Sequence, residues 1–202
     1  MTQLNLNGYT DLPDGKVAAI VTHFEMWSPP EWSVEAPENV TLVAVPDPDL
    51  AWYRALFLEI GAEWLWFSRL TYSDKRLSDL LTEPSRDLRV VRDETGDLGL
   101  LELNFADAEN VEVAFFGLAP SAVGRHLGRW LMGEALRLCW ARPETKRVWL
   151  HTCTLDHPNA LPFYMKCGFQ PHRRTVEVAD DPRLTGAMPL TAGSRLPLLS
   201  VK

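Results

Sequence analysis

Two segments decide the fold of this chain: VEVAFFGLAPSAVGRHLGRWLMGEAL at residues 111–136 and VWLHTCTLDHPNALPFYMKCGF at residues 148–169. The first predicts an apolar strand, a glycine-bearing turn and a helix. The second predicts another strand and a helix with an aromatic hydroxyl near its end. Backbone N–H groups of a turn that opens a helix can hold a phosphate. Together the segments predict a nucleotide-linked acyl carrier bound between two strands.

Apolar periodicity and turn residues extend this pattern over the rest of the chain. Further strands are predicted at residues 16–26, 40–45, 88–92, 98–105 and 175–179, in addition to 111–118 and 147–152. Helices are predicted after the Pro and Asp residues at 46–49, over 73–81 and 124–141, and over 159–167 with an interruption at Pro162. This order predicts an α/β domain with a mixed sheet.

Length and composition exclude several classes of protein. A chain of 202 residues is expected to form one domain. Its net charge of −7 argues against a nonspecific nucleic-acid binder. No apolar run reaches the length of a membrane span, and the N-terminal segment lacks the pattern of a signal peptide, so a cytoplasmic protein is expected. The three cysteines, Cys139, Cys153 and Cys167, are expected to be reduced.

The two segments resemble the conserved motifs of the GNAT superfamily, the acyl-CoA-dependent N-acetyltransferases. That family's turn has Gln or Arg, two residues, Gly, one residue, then Gly or Ala; here residues 123–128 read VGRHLG, with Val123 and His126 departing from the pattern. The second motif matches at Ala160, Tyr164 and the Gly-Phe pair of residues 168–169, with His157 in place of Asn. The resemblance implies a GNAT-like mixed central sheet whose central strands splay apart and are flanked by helices.

The same resemblance implies how coenzyme A is bound. The turn would hold the pyrophosphate through Val123, Gly124, Arg125, His126, Leu127, Gly128 and Arg129. The pantetheine arm would pair with the backbone of the preceding strand at Phe116, Gly117 and Leu118. A glycine inside that strand fits a bulge or the close approach of another backbone. His157 and Asn159 would contact the cofactor after the next strand, although a helix-capping cluster explains them equally well.

The resemblance also implies the catalytic residues. Glu112 is the candidate general base, and its alternative is a solvated carboxylate at a strand start. Tyr164 is the candidate general acid, and its alternative is a packed helix aromatic. Trp64 and Trp66 are candidates for the wall of the acceptor site, although core packing is the ordinary role of such residues.

We therefore predict an N-acetyltransferase that moves an acetyl group from acetyl-CoA to a primary amine by direct attack in a ternary complex. The expected acceptor is a small molecule; a protein or peptide amine and a non-catalytic coenzyme A-binding module are the alternatives. No metal is expected, because His151, Cys153 and His157 lack the fourth ligand of a structural zinc site. The expected partners are the two substrates and, as an open option, a second copy in a homodimer, without nucleic acid or membrane.

The expected organisation is a single domain over residues 1–202. Within it, residues 1–86 are assigned to the acceptor side, residues 87–179 to the acetyl-CoA-binding core and residues 180–202 to a C-terminal tail.

Overall fold

The structure, a computed structural model, describes residues 4–199. Its strands are β1 (Lys16–Met26), β2 (Thr41–Ala44), β3 (Arg86–Asp93), β4 (Gly96–Asn104), β5 (Asn110–Leu118), β6 (Arg147–Cys153) and β7 (Gln170–Asp180). Its helices are α1 (Leu50–Gly61), α2 (Asp74–Leu81), α3 (Leu127–Trp140) and α4 (Ala160–Lys166). Short 3₁₀ turns follow α1 at Ala62–Trp64 and precede α3 at Pro120–Ala122.

All seven strands form one sheet in the order β2-β3-β4-β5-β6-β1-β7. Every neighbouring pair is antiparallel except β5 and β6, which run parallel. These two strands pair only from Asn110 and Arg147 as far as Glu112 and Trp149, and then separate. The expected α/β fold with a mixed sheet and splayed central strands is therefore confirmed.

The position of β1 was not predicted from the sequence. It lies between β6 and β7 and is antiparallel to both, far across the sheet from β2. The first strand of the chain thus lies in the same half of the sheet as the last two strands, β6 and β7.

Neighbouring residues of one strand point to opposite faces of the sheet, and each face is covered by its own helices. Leu100 packs with α1 and α2, whereas Leu101 packs with α3 and α4. The sequence supports this arrangement, because the buried residues of α1 and α2 recur at helical spacing: Tyr53, Leu56, Phe57 and Ile60 in α1, and Leu77 and Leu81 in α2. Among the described residues, no helix combines the length and apolarity needed to cross a membrane.

Two helix boundaries differ from the prediction. α3 begins at Leu127 rather than at residue 124, because Gly124 (φ 85°) and His126 (φ 59°) both adopt left-handed backbone conformations. Pro162 does not interrupt α4 but lies in its first turn, where a proline costs no intrahelical hydrogen bond. The Asp49 side chain caps α1, as the sequence indicated, and the Ser73 side chain caps α2.

The segment after β7 folds back over the chain that follows α1. A buried ion pair between Asp181 and Arg183 (2.7 Å) fixes its start. Farther on, the Gly193 N–H donates to the Ala62 carbonyl (2.9 Å). Leu65 packs there with residues of the tail. The tail therefore supports the region between α1 and α2, a role that its sequence did not reveal.

Candidate active site

A cavity of about 380 Å³ lies where β5 and β6 separate. The C-terminal halves of both strands form two of its walls. α4 forms a third wall, and the segment after α1 closes the fourth. The cavity reaches Gly128 at the start of α3, so one continuous cleft connects the turn before α3 with the two tryptophans of the acceptor-side prediction.

The edge of β5 that faces this cleft carries unpaired backbone groups. In an antiparallel pair, every second residue of a strand is hydrogen-bonded to its neighbour. The Ala119 N–H donates to the Leu98 carbonyl (2.8 Å), so Gly117 and Phe115 also bond to β4. By this alternation Phe116 and Leu118 direct their N–H and C=O groups toward β6, which no longer reaches them. This edge can accept an extended chain with amide groups, as β-strand addition does.

Gly117 is required for a different reason from the one predicted. A Cβ there would lie 2.5 Å from Ile60 Cγ2 and 2.8 Å from the Trp66 ring, so the side chains on the α1 face occupy the space. The bulge of β5 is at Ala114, where the register against β4 shifts between Glu102 and Leu103. Gly117 thus allows close packing beneath the cleft, and Ala114 marks the point at which β5 bends away from β6.

The first turn of α3 offers free hydrogen-bond donors. Among residues 4–199, no side chain caps this helix, and its first N–H groups have no partner there. A Cβ built on Gly128 would meet only Phe163 at 3.8 Å and Leu118 at 4.0 Å, which is ordinary contact. Nothing lies within 4 Å of a Cβ built on Gly124. The open space and the positive end of the helix dipole fit the pyrophosphate of coenzyme A.

The two arginines of this turn have protein partners. Arg125 donates to Asp93 (2.8 Å), and hydrogen bonds from Thr95 and then Arg125 lower the pKa of Asp93 to about 2. The Arg129 guanidinium stacks over the Trp32 ring at 4.3 Å. Val123 and His126 are exposed, and Val123 reaches the cavity. Each arginine would have to leave or share its partner to contact a phosphate.

Glu112 lies at the last position where β5 still pairs with β6, opposite Trp149. It is half-buried, and its Oε2 accepts a hydrogen bond from Asn104 Nδ2 (3.0 Å). Glu112 is not a lining residue of the cavity, whose β5 wall begins at the next residue, Val113. The position at the vertex of the cleft fits a base that acts through a water molecule, and its role stays a prediction.

Tyr164 lines the cavity from α4 and is surrounded by aromatic rings. Only 8% of its surface is exposed, and its hydroxyl has no hydrogen-bond partner among residues 4–199. Burial raises the pKa of Tyr164 above its usual range, with smaller contributions from Asp156 and Cys167. The hydroxyl therefore stays protonated at neutral pH, as a proton donor must.

We expect Tyr164→Phe to lower kcat without weakening coenzyme A binding. The variant loses only a hydroxyl that has no protein partner, so the free energy of unfolding should change by less than about 1 kcal/mol. General acid catalysis contributes about 10²–10⁴ in rate, and the good leaving ability of a thiolate places this effect at or below the lower end. Steady-state kinetics measures the change in kcat, and calorimetry with acetyl-CoA measures cofactor binding. Loss of cofactor binding would make the hydroxyl a binding contact, and unchanged kinetics would make Tyr164 a packing residue.

His157 and Asn159 both reach the cavity at the start of α4. The His157 Nδ1 accepts a hydrogen bond from the Asn159 N–H (3.0 Å), and the His157 ring packs against Trp64 at 5.0 Å. The Asn159 side chain does not cap α4. Only the His157 side chain therefore supports the alternative that these residues serve to cap the helix. His151 and Cys153 lie on the same face of β6 and also line the cavity.

The two tryptophans differ in their surroundings. Trp66 packs against Phe57 and Phe115, and its indole N–H donates to Asp156 (2.9 Å). Trp64 touches the His157 ring and has the Arg195 guanidinium at 5.8 Å. Both side chains line the cavity, but only Trp66 is also part of the packing beneath β5.

Sequence reasoning missed two carboxylates of the cavity. Asp156 accepts hydrogen bonds from Trp66, from the Thr152 hydroxyl (2.6 Å) and from the Cys153 N–H (2.8 Å), and so joins β6 to the segment after α1. Glu177 reaches the cavity from β7, which is separated from β6 by β1 alone. No pattern in the sequence shows this neighbourhood.

A buried charge cluster beneath the cleft was also missed. Glu102 in β4 accepts hydrogen bonds from Arg69 (2.9 Å) and from the Tyr53 hydroxyl. The Arg69 guanidinium lies 4.7 Å from the centre of the Phe115 ring, which lines the cavity. The signal available in the sequence was a single Glu inside the apolar stretch LLELNF at residues 100–105.

Comparison with known proteins identifies the family to which these features belong. The sequence model of the acetyltransferase (GNAT) family matches residues 54–169, which include most of α1, most of the cleft and all of α4. Among curated proteins, none matches this sequence.

Solved structures share the fold. A tandem GNAT protein from the clavulanic acid biosynthesis pathway superimposes with a TM-score of 0.59 at 15% identity over 80% of this chain. A GCN5-related N-acetyltransferase from Sphaerobacter thermophilus gives 0.57 at 18% identity over 81%. The chain covers 53% and 52% of those two proteins. A spermidine/spermine N-acetyltransferase from Vibrio cholerae gives 0.51 at 19% identity, over 73% of this chain and 96% of that one.

Proposed function

Because the chain belongs to the GNAT family of acetyltransferases, we propose that it transfers an acetyl group from acetyl-CoA to the primary amine of a small molecule. The observation that carries the proposal is the separation of β5 from β6 after Glu112 and Trp149. It opens a cleft with unpaired strand groups on one wall, uncapped helix donors at one end and a protonated Tyr164 at its side.

Acetyl-CoA supplies the activated acetyl group, and the chain's own groups are suited to hold it. The N–H groups of the first turn of α3 would bind the pyrophosphate, and the backbone of Phe116 and Leu118 would pair with the amides of the pantetheine arm. An N–H of that edge would polarise the thioester carbonyl. Binding both reactants in one cleft supplies proximity.

Proton transfers are assigned to two side chains. Glu112 would take a proton from the acceptor ammonium through water, because an amine must be neutral to attack. The Tyr164 hydroxyl would donate a proton to the departing sulfur. Burial, with a smaller contribution from Asp156, raises the pKa of Cys153 to about 12, so this thiol is a poor nucleophile and direct attack by the amine is favoured.

The cavity favours a cationic acceptor. Among residues 4–199, no lysine or arginine lines the cavity, whereas Asp156 and Glu177 do. Trp64 adds an aromatic face, which attracts ammonium groups. The Vibrio cholerae protein of the same fold is named for acetylation of spermidine and spermine, which are amines of this class. A partly enclosed cavity of about 380 Å³ fits a small amine better than a folded protein substrate.

The assignment of regions is proposed on the same grounds. Residues 87–179 would bind acetyl-CoA, while the chain after α1 and the C-terminal tail would form the acceptor side. Within residues 1–86, which were assigned to the acceptor side, β1 is an exception, because it lies beside β6 and β7.

The direct test is incubation of the purified chain with acetyl-CoA and a panel of amines, with acetylated products detected by mass. Products from small di- and polyamines, and none from acidic amines, are expected. Mass detection avoids interference from the chain's three free thiols. Acetylation of peptides alone would favour the peptide-amine alternative. Coenzyme A binding without any product would favour a non-catalytic binding module.

We expect Trp64→Ala to raise the KM for the amine while leaving coenzyme A affinity nearly unchanged. Trp64 contacts His157 and the tail rather than the core beneath β5, so its loss should cost little stability. Trp66→Ala is the matched control: it empties packing against Phe57 and Phe115, and such changes cost about 3–5 kcal/mol. Equal destabilisation of both variants, with unchanged acceptor kinetics, would assign Trp64 to the core.

A further inference from the structure

β7 is an unprotected edge of the sheet. It pairs with β1 on one side only, and its residues are exposed except for the half-buried Ala179. Natural edge strands are usually short or interrupted by lysine or proline. β7 has 11 residues, and after Pro171 and a bulge at His172 it runs without a proline, a glycine or a lysine. It is a suitable template for another strand.

The hydrogen-bonding pattern shows which backbone groups this edge presents. Ile20 in β1 exchanges hydrogen bonds with Thr154, on the side away from β7. Ile20 is opposite Val176 in β7, and the two form a non-hydrogen-bonded pair. The Val176 N–H and C=O therefore point away from β1, out of the sheet edge. By alternation the groups of Arg174 and Val178 also point outward. Within residues 4–199, none of these groups has a backbone partner.

One face of this edge carries two valines beside Arg174, and the other carries charged side chains. Val176 and Val178 are 46% and 51% exposed, and Ile20 beside them is 43% exposed. The other face carries Arg173 and Glu177, which lie four residues apart around Thr175. Glu177 has no hydrogen-bond or ionic partner in the described part of the chain.

We propose that β7 pairs antiparallel with β7 of a second copy of this chain, about a two-fold axis at Thr175, to form a continuous fourteen-stranded sheet. In this register Arg173 of each copy lies opposite Glu177 of the other, which gives two ion pairs on one face. Arg174 and Val176 are opposite each other, and both present the outward backbone groups that the ladder needs. A two-fold axis requires such self-complementarity.

Neighbouring registers are less favourable. Moving the axis to Val176 keeps the ladder but leaves Arg173 opposite Ala179, so both ion pairs are lost. Moving it to Glu177 places two like charges directly opposite each other, which is destabilising. Charge complementarity therefore selects the Thr175 axis.

Glu177 also lines the proposed acceptor cavity, so this pairing would place Arg173 of the second copy at its rim, offset the charge of Glu177 and leave Asp156 as the carboxylate that favours a cationic amine. The dimer itself does not depend on the proposed function, because it rests on the strand edge alone.

Cysteine cross-linking of the full chain tests the register. In the proposed dimer Thr175→Cys faces its own copy in a non-hydrogen-bonded pair, where side chains lie closest. Mild oxidation should give a covalent dimer on a non-reducing gel. Val176→Cys and the wild type, with its three native thiols, are the controls and should stay monomeric on that gel. Cross-linking of Val176→Cys in preference to Thr175→Cys would overturn the register.

Charge reversal tests the interface in solution. Glu177→Arg should raise the dimer dissociation constant about tenfold or more in sedimentation experiments, because two attractive pairs become repulsive. Adding Arg173→Glu to the same chain exchanges the charges and should restore the dimer. A monomeric wild type would overturn the proposal. So would a dimer that neither charge reversal nor Thr175 cross-linking affects, since it would use another surface.

Discussion

Gly128→Glu is expected to abolish coenzyme A binding while leaving the free chain folded. The new carboxylate would lie in the first turn of α3, where the uncapped N–H groups otherwise meet the pyrophosphate. Two negative charges would then compete for the same donors. Acetyl-CoA at a hundredfold excess over its dissociation constant stabilises a binding protein by about 2.7 kcal/mol, or about 5–11 °C in Tm for a chain of this size. The variant should lose that shift entirely.

The free Gly128→Glu chain should melt at or above the wild-type temperature. A Cβ at Gly128 has ordinary contacts, and replacing a helical glycine with a residue whose charge suits the helix N-terminus is stabilising. Gly128→Ala is the matched control, because it adds the Cβ without the charge and should retain most of the ligand-induced shift. Thermal melts with and without acetyl-CoA measure both variants. Wild-type affinity in Gly128→Glu would show that the pyrophosphate binds elsewhere.

Glu112→Gln is expected to lower kcat by about 10²–10⁴ at neutral pH, the usual contribution of a general base. The amide keeps the size of the side chain and an oxygen that can accept from Asn104, so fold and cofactor affinity should persist. Primary amines have a pKa near 10.4 and are almost fully protonated at pH 7. The variant should therefore regain activity as pH rises and the free amine accumulates, so its rate depends more steeply on pH than the wild type's.

Asn104→Ala is the companion variant for Glu112. It removes the hydrogen bond that orients the carboxylate but keeps the base, so kcat should fall less than in Glu112→Gln, and the pH dependence should stay close to that of the wild type. Rates measured across pH with a single amine and saturating acetyl-CoA separate the two effects. A Glu112→Gln enzyme with the wild-type rate and pH profile would show that Glu112 is a solvated strand residue.

Local sequence determined most of the secondary structure. Asp49 and Ser73 provide caps that fix two helix starts, and alternating or continuous apolar runs give the strands. The paired motifs around the turn before α3 and the Tyr164 helix were sufficient to predict the family, which the match over residues 54–169 confirms. These features depend on residues that are close along the chain, so periodicity and spacing reveal them.

At the turn before α3, the local sequence predicted the wrong start of the helix. Its sequence indicated a helix from Gly124, but left-handed conformations at Gly124 and His126 delay the helix to Leu127. Gly117 was predicted to allow another backbone to approach, yet Ile60 and Trp66 are the groups that need the space. The packing at Gly117 depends on residues that are distant in sequence rather than on the segment itself.

By itself, then, the sequence determined the element order, the helix caps and the two motifs, because each is a pattern among near neighbours in the chain. Only the tertiary structure decided that β1 lies between β6 and β7, which carries Glu177 to the cavity and leaves the β7 edge open. Only packing buried Tyr164 and joined Trp66 to Asp156. Strand pairing and burial bring together residues far apart in sequence, and no local pattern encodes which of them will meet.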